Sequence, residues 1–187
     1  MTLKELTRIS VFTAVLIICG NIAIPTPIVP FTLQVFAVSL IAFTLSKKEA
    51  FFSVLLYVIM GLIGLPVFSG WTGGLVATIT KPTFGFIIGF LPMVFLMSLI
   101  LEKMKSKKVL SAVIASVSGI VVLYICGLFV VYINLKYYAG TPLPFGKMFM
   151  GYCIPFLPID CLKFILSYIV ATRLKKIVFL EAKKASA

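Results

Sequence analysis

The stretch VLSAVIASVSGIVVLYICGLFVVYINL, from Val109 to Leu135, contains no charged side chain. A helix needs about 20 residues to cross the hydrocarbon core of a bilayer, within a range of about 17–25, so this run is long enough to span with tilt or to emerge from the membrane. Five further apolar stretches accompany it: Leu6 to Ala23, Phe31 to Leu45, Ala50 to Leu65, Thr83 to Leu101 and Ile154 to Thr172. The second and third in chain order are short for a span. The whole chain agrees with this pattern: 61% of its 187 residues are hydrophobic and only 12% are charged. Soluble domains carry about 45–50% apolar and about 25% charged residues, and have too little interior to hide this much apolar surface. The composition excludes a soluble enzyme, an ordinary nucleic-acid-binding protein and a disordered chain. It predicts an all-α, polytopic membrane protein, a bundle of six transmembrane helices forming one domain over residues 1–187.

The net charge of +12 is a topology signal. Six spans put both termini on one side. That side collects 13 of the 17 basic residues, in clusters around Lys4 and Arg8, Lys47 and Lys48, Lys103 to Lys108, and Arg173 to Lys184. The opposite side holds Lys81, Lys136 and Lys147, and Lys163 lies within a span. The positive-inside rule then places both termini in the cytoplasm, where the clusters meet anionic lipid of the bilayer. No nucleic-acid partner is expected. The first stretch, with Lys4 and Arg8 ahead of its apolar core, imitates a secretory signal. No A-x-A site follows it, and it is expected to remain as an uncleaved helix.

Catalytic signatures are missing from the sequence. It has no histidine, and its four cysteines, Cys19, Cys126, Cys153 and Cys161, form no C-x-x-C pair, which argues against zinc and Cys–His chemistry. It has no G-x-x-x-x-G-K-[ST], H-E-x-x-H or G-x-S-x-G. Asp160 is the single acid within an apolar stretch, so one chain cannot supply an aspartyl dyad. No metal, no cofactor and no enzymatic activity are expected.

The residues that stand out are Asp160 and Lys163. A spacing of three sets them on one helical face. Taking Arg173 as the cytoplasmic helix end, Asp160 lies roughly 20 Å away at about 1.5 Å per residue, near the outer part of a core about 30 Å thick. Each charge would cost about 2.5–3.5 kcal/mol if left at the bilayer centre, so both should face the bundle interior or a wet cavity. Two readings stay open: a ligand site in which Lys163 meets a polar ligand group, or a mutually neutralised pair that holds helices together. Asp160 also suits the first turn of a helix that begins near Pro155 and Pro158.

Other segments carry weaker signals. The outer loop from Pro66 to Pro82 contains Gly70, Gly73, Gly74 and the single tryptophan, Trp71. Glycines permit close backbone approach to a ligand, and Trp71 offers it an apolar face; equally, Trp71 suits the interfacial aromatic belt. The connection Ile24-Pro25-Thr26-Pro27-Ile28-Val29-Pro30 is stiff and uncharged, either a lid over a pocket or a hairpin link. Small residues recur at helix-contact spacing at Ser10 and Ala14, at Gly85 and Gly89, and at Ser111, Ala115 and Gly119. Most such stripes pack internally, and an exposed one suits a partner membrane protein.

Several motifs, in order and spacing, resemble one family. They are Val29-Pro30-Phe31-Thr32-Leu33-Gln34, Gly61-Leu62-Ile63-Gly64-Leu65-Pro66-Val67-Phe68, Gly73-Gly74, Pro82-Thr83-Phe84-Gly85-Phe86 and Asp160-Cys161-Leu162-Lys163. The chain resembles BioY-type biotin transporters, the substrate-binding S components of energy-coupling-factor (ECF) transporters, over essentially its whole length. It departs where such proteins usually show Gly-Pro-Thr-Gly-Gly-Tyr and this sequence has Lys81-Pro82-Thr83-Phe84-Gly85-Phe86. The resemblance implies a multi-pass S component in a prokaryotic plasma membrane that captures biotin from outside. It implies partners: one transmembrane coupling protein and two ATP-binding-cassette ATPases, with Ser10 and Ala14 on the first helix toward the coupling protein. The candidate biotin-binding residues are Asp160, Lys163, Trp71, Gly73, Gln34, Thr32 and Thr83. Alternatives are an S component for another small vitamin, a stand-alone facilitator, a membrane enzyme or a structural subunit.

Overall fold

A computed structural model describes residues 1–185 apart from 25, 27–29, 82, 105–107, 138–139 and 142, with side chains as far as 176. Among the described residues the chain forms eight helices and one two-residue β ladder: α1 Leu3–Asn21, β1 Ala23–Ile24, β2 Phe31–Thr32, α2 Gln34–Thr44, α3 Lys47–Leu62, α4 Leu75–Ile79, α5 Phe84–Lys103, α6 Lys108–Tyr137, α7 Phe145–Tyr152 and α8 Leu157–Ala185.

Local chemistry fixes the ends. Thr2 and Ser46 each accept a hydrogen bond from the backbone N–H of a glutamate three residues on, Glu5 and Glu49, and those glutamates accept the cap N–H in return. These capping boxes start α1 and α3. Glu49 also receives Arg8 at 3.2 Å, and Thr13 donates to the Ser53 carbonyl at 3.0 Å, so α1 is tied to α3 along its length. α2 begins three residues later than the apolar stretch suggests, because Phe31 and Thr32 pair antiparallel with Ile24 and Ala23. α3 stops before Leu65, where Gly64 adopts a φ of 109°. α8 starts at Leu157 rather than Ile154, past Pro155, and Asp160 lies in its first turn.

α2 is the centre of the molecule. Nine of its eleven residues are buried, and it packs against α1, α3, α5 and α8. A helix apolar on every face belongs in such a position. Ser39 of α2 donates to Ser167 of α8 at 2.8 Å, a buried hydroxyl pair between the two helices. α5 and α6 lie closest together. A Cβ placed on Gly85 would come within 2.6 Å of the Val130 Cβ and 2.8 Å of the Gly127 carbonyl, so the glycine permits the approach. Ser111, Ala115 and Gly119 are buried or covered on this same seam, whereas Ser10 and Ala14 of α1 are exposed.

Each of the six apolar stretches falls on a helix. Among the described residues α5 and α6 are long and apolar enough to cross a membrane, and α7 with the 157–176 part of α8 passes the same measure as a pair bent by 46°, a broken span or a re-entrant loop. α2 is apolar but has eleven residues, and α1 and α3 carry charges in their first turns. α4 and α7 are additional to the six stretches: α4 falls inside the outer glycine loop and α7 precedes the bend. The proline-rich connection expected as a lid or link lies mostly outside the described residues, at 25 and 27–29.

Candidate ligand cavity

Where α2, α5 and α8 begin and the middle of α6 passes, the helices separate around a cavity of about 290 Å³. That is at the small end of the 300–1,000 Å³ typical of small-molecule sites. Its walls are largely aromatic and aliphatic, with Phe68, Phe86, Phe90, Leu123 and Phe156 among them.

The polar groups converge at one place. Asp160 and Lys163 are 2% and 6% exposed, and the Lys163 ammonium donates to Asp160 Oδ1 at 2.8 Å. The second carboxylate oxygen accepts the Tyr124 hydroxyl from α6 at 2.9 Å. Asp160 is thus held on both oxygens, while Lys163 has Asp160 as its one hydrogen-bond partner among the described residues and lines the cavity with N–H capacity in hand. Across from them, Thr32 donates to Gln34 Oε1 at 3.0 Å and Gln34 Nε2 donates to Tyr57 OH at 2.6 Å. The Gln34 amide is oriented by neighbours on both ends, at the first residue of α2. The deep cluster is electrically balanced, one carboxylate with one ammonium. The surplus cation among the lining residues is Lys81, which is exposed.

The structure brings together Thr32, Gln34, Thr83, Asp160 and Lys163 from the sequence-derived set as lining residues of one cavity. It does not bring Trp71 and Gly73 there. Trp71 is 65% exposed and stands outside the lining, in a tight turn where Phe68 and Thr72 exchange backbone hydrogen bonds. Its φ is 55°, and its N–H donates to Asn21 Oδ1 at 2.8 Å; Asn21 Nδ2 donates in turn to the Val67 carbonyl. Gly73 is packed against the Leu65 carbonyl, which leaves no space for a Cβ. The glycine-bearing turn therefore folds on its own backbone, and the loop's contributions to the cavity are Phe68, Ser69, Thr72, Thr78 and Lys81. Sequence reasoning missed Tyr124, Tyr57 and Lys81. The signal for the tyrosines was available: a phenol inside an apolar span needs a partner for its O–H.

Comparison with known proteins agrees with the motifs. The chain is 35% identical to the biotin transporter BioY of Thermotoga maritima, over 94% of this chain and 98% of the relative. It is 42% identical to biotin transporter BioY2 of Lactococcus lactis subsp. cremoris, over 66% of this chain and 67% of that protein. Among solved structures it matches the crystal structure of the S-component for biotin from an ECF-type ABC transporter, with a TM-score of 0.80 and 29% identity, covering 94% of this chain and 95% of the other. The BioY family model matches residues 1–179, and the chain belongs to the BioY family.

Proposed function

We propose that the protein is a biotin-binding S component of an ECF-type uptake transporter, a single substrate-binding membrane domain over residues 1–187. The observation that carries this reading is the buried, balanced Asp160–Lys163–Tyr124 cluster in a largely apolar cavity. A cluster without net charge suits a neutral ligand group that both donates and accepts. The ureido ring of biotin does so: Asp160 takes a ureido N–H and Lys163 donates to the ureido oxygen, with Thr32, Gln34 and Thr83 supplying neutral hydrogen bonds. The valeryl carboxylate then extends toward the exposed ammonium of Lys81, and the aromatic walls enclose the thiophane ring. Trp71 and Gly73 act indirectly, by shaping the turn that presents Ser69 and Thr72.

Six spans with both termini in the cytoplasm, in a prokaryotic plasma membrane, put this cavity on the outer side; the 13 basic residues gathered on one side support that orientation. The partners are a transmembrane coupling protein and two ATP-binding-cassette ATPases. The exposed pair Ser10 and Ala14 on α1 supports docking of the coupling protein on that face.

Calorimetric titration of the purified protein with a panel of vitamins tests the reading. Biotin binds at micromolar or lower concentration and the other vitamins do not; no heat with biotin, or an equal response to another vitamin, overturns it. Co-purification from native membranes tests the partners: Ser10→Leu with Ala14→Leu releases the coupling protein and ATPases while biotin binding persists. Uptake into liposomes by the protein alone would favour a facilitator.

A further inference from the structure

At the end of the bundle opposite the Asp160 cavity, a second crevice of about 740 Å³ opens between the last turns of α2 and α5, the first turn of α6 and the later part of α8. Three lysines line it: Lys108, Lys175 and Lys176. The acid that lines it, Glu102, is already taken, because Lys47 donates its backbone N–H to one Glu102 oxygen at 3.2 Å and pairs its ammonium with the other at 3.3 Å. Among the described residues, none of the three lysines has an ion pair. All three lysines are exposed. Like charges held together without a free acid leave a local excess of positive potential. The N-terminal turn of α6 adds to it.

The interior of the crevice carries a second, independent mismatch. Ser98 is 2% exposed, and its hydroxyl is buried without a hydrogen-bond partner; the Thr44 hydroxyl is in the same condition. Both residues line the crevice. Buried polar groups are normally satisfied, so two orphans lining one crevice mark a place for an outside polar group. Phe43, Leu45 and Leu101 provide apolar surface beside them. A ligand that matches this lining is an anion with several acceptor oxygens, a neutral polar portion and an apolar continuation.

We propose that this crevice binds an anionic phospholipid, with the headgroup phosphate between Lys108, Lys175 and Lys176 and the glycerol region against Ser98 and Thr44. Choosing a lipid over a soluble phosphate rests on the membrane reading of the chain and on the apolar wall; basic crevices between membrane helices at the cytoplasmic side favour such headgroups.

The test uses full-length protein in detergent micelles, with phosphatidylglycerol, phosphatidylcholine and glycerol phosphate as probes and retained lipid counted by native mass spectrometry. One phosphatidylglycerol remains bound per chain, and phosphatidylcholine does not. Lys108→Ala/Lys175→Ala/Lys176→Ala lowers retention at least tenfold, and Ser98→Val lowers it severalfold. The charge-matched control Lys4→Ala/Lys48→Ala/Lys103→Ala retains it. Equal loss in the control, equal retention of phosphatidylcholine, or displacement by equimolar glycerol phosphate overturns the proposal. Biotin titration of the same samples separates the two readings: the triple variant binds biotin as the unmodified chain does, and absent biotin binding would count against the proposed function alone.

Discussion

Tyr124, midway along α6, donates its hydroxyl to Asp160 in the first turn of α8 at 2.9 Å. The bond joins residues 36 positions apart and reserves one carboxylate oxygen, leaving Lys163 to hold the other. Tyr124→Phe removes the donor and leaves a buried oxygen unmatched, a loss of about 1–3 kcal/mol. The expected result is biotin affinity weakened roughly 5- to 100-fold, measured by calorimetry, with the helical circular dichroism signal unchanged. An unaltered affinity would show that the phenol only fills space.

Lys163→Met leaves Asp160 buried without its cation. Truncating one member of a buried charge pair costs about 2–5 kcal/mol, so the dissociation constant should rise roughly 100-fold or more and the melting temperature should fall. Adding Asp160→Asn removes the stranded charge. The double variant should recover much of the melting temperature and none of the affinity. Recovery of both would show that the pair serves the bundle and not the ligand.

Lys81 is exposed, so its attraction for a ligand carboxylate is screened by salt. Lys81→Gln should weaken biotin binding roughly 3- to 10-fold at 0.01 M salt, where the Debye length is about 30 Å, and scarcely at 1 M, where it is about 3 Å. The unmodified protein should lose affinity as salt rises, and the variant should not. Parallel salt curves would remove Lys81 from the site.

Gly127 lies under the Phe86 ring, with no room for a Cβ, and Phe86 lines the cavity. Gly127→Ala therefore drives the ring toward the space the ligand needs. Overpacking of this kind costs about 1–3 kcal/mol. Affinity should fall by roughly tenfold, and pairing the change with Phe86→Leu should restore it. If the double variant binds no better than Gly127→Ala, the ring is not the transmitter.

The helices were readable because lipid-length apolar runs leave little choice of structure, and Asp160 with Lys163 stood out because a charge at that depth is costly. What the sequence hid depended on distant partners. Nothing local says that Tyr124 and Asp160 meet, or that Gln34 reaches Tyr57. Trp71 beside glycines suits a ligand face or the interfacial belt equally; Asn21 holds its backbone N–H, and the ring stands exposed outside the cavity lining. The start of α2 is not legible in the sequence because a two-residue ladder, Ala23–Ile24 with Phe31–Thr32, is too short to leave a periodic pattern. α7 leaves no span-length signal because it has only eight residues.

α2 runs from Gln34 at the first cavity to Thr44 at the second and is enclosed on all sides by α1, α3, α5 and α8. It works as a stopper in a closed-bottomed vessel. A molecule seated beside Gln34 has no way down the axis while Val38 and Ile41 remain fully packed. With that path closed, passage to the far side requires the packing around α2 to rearrange.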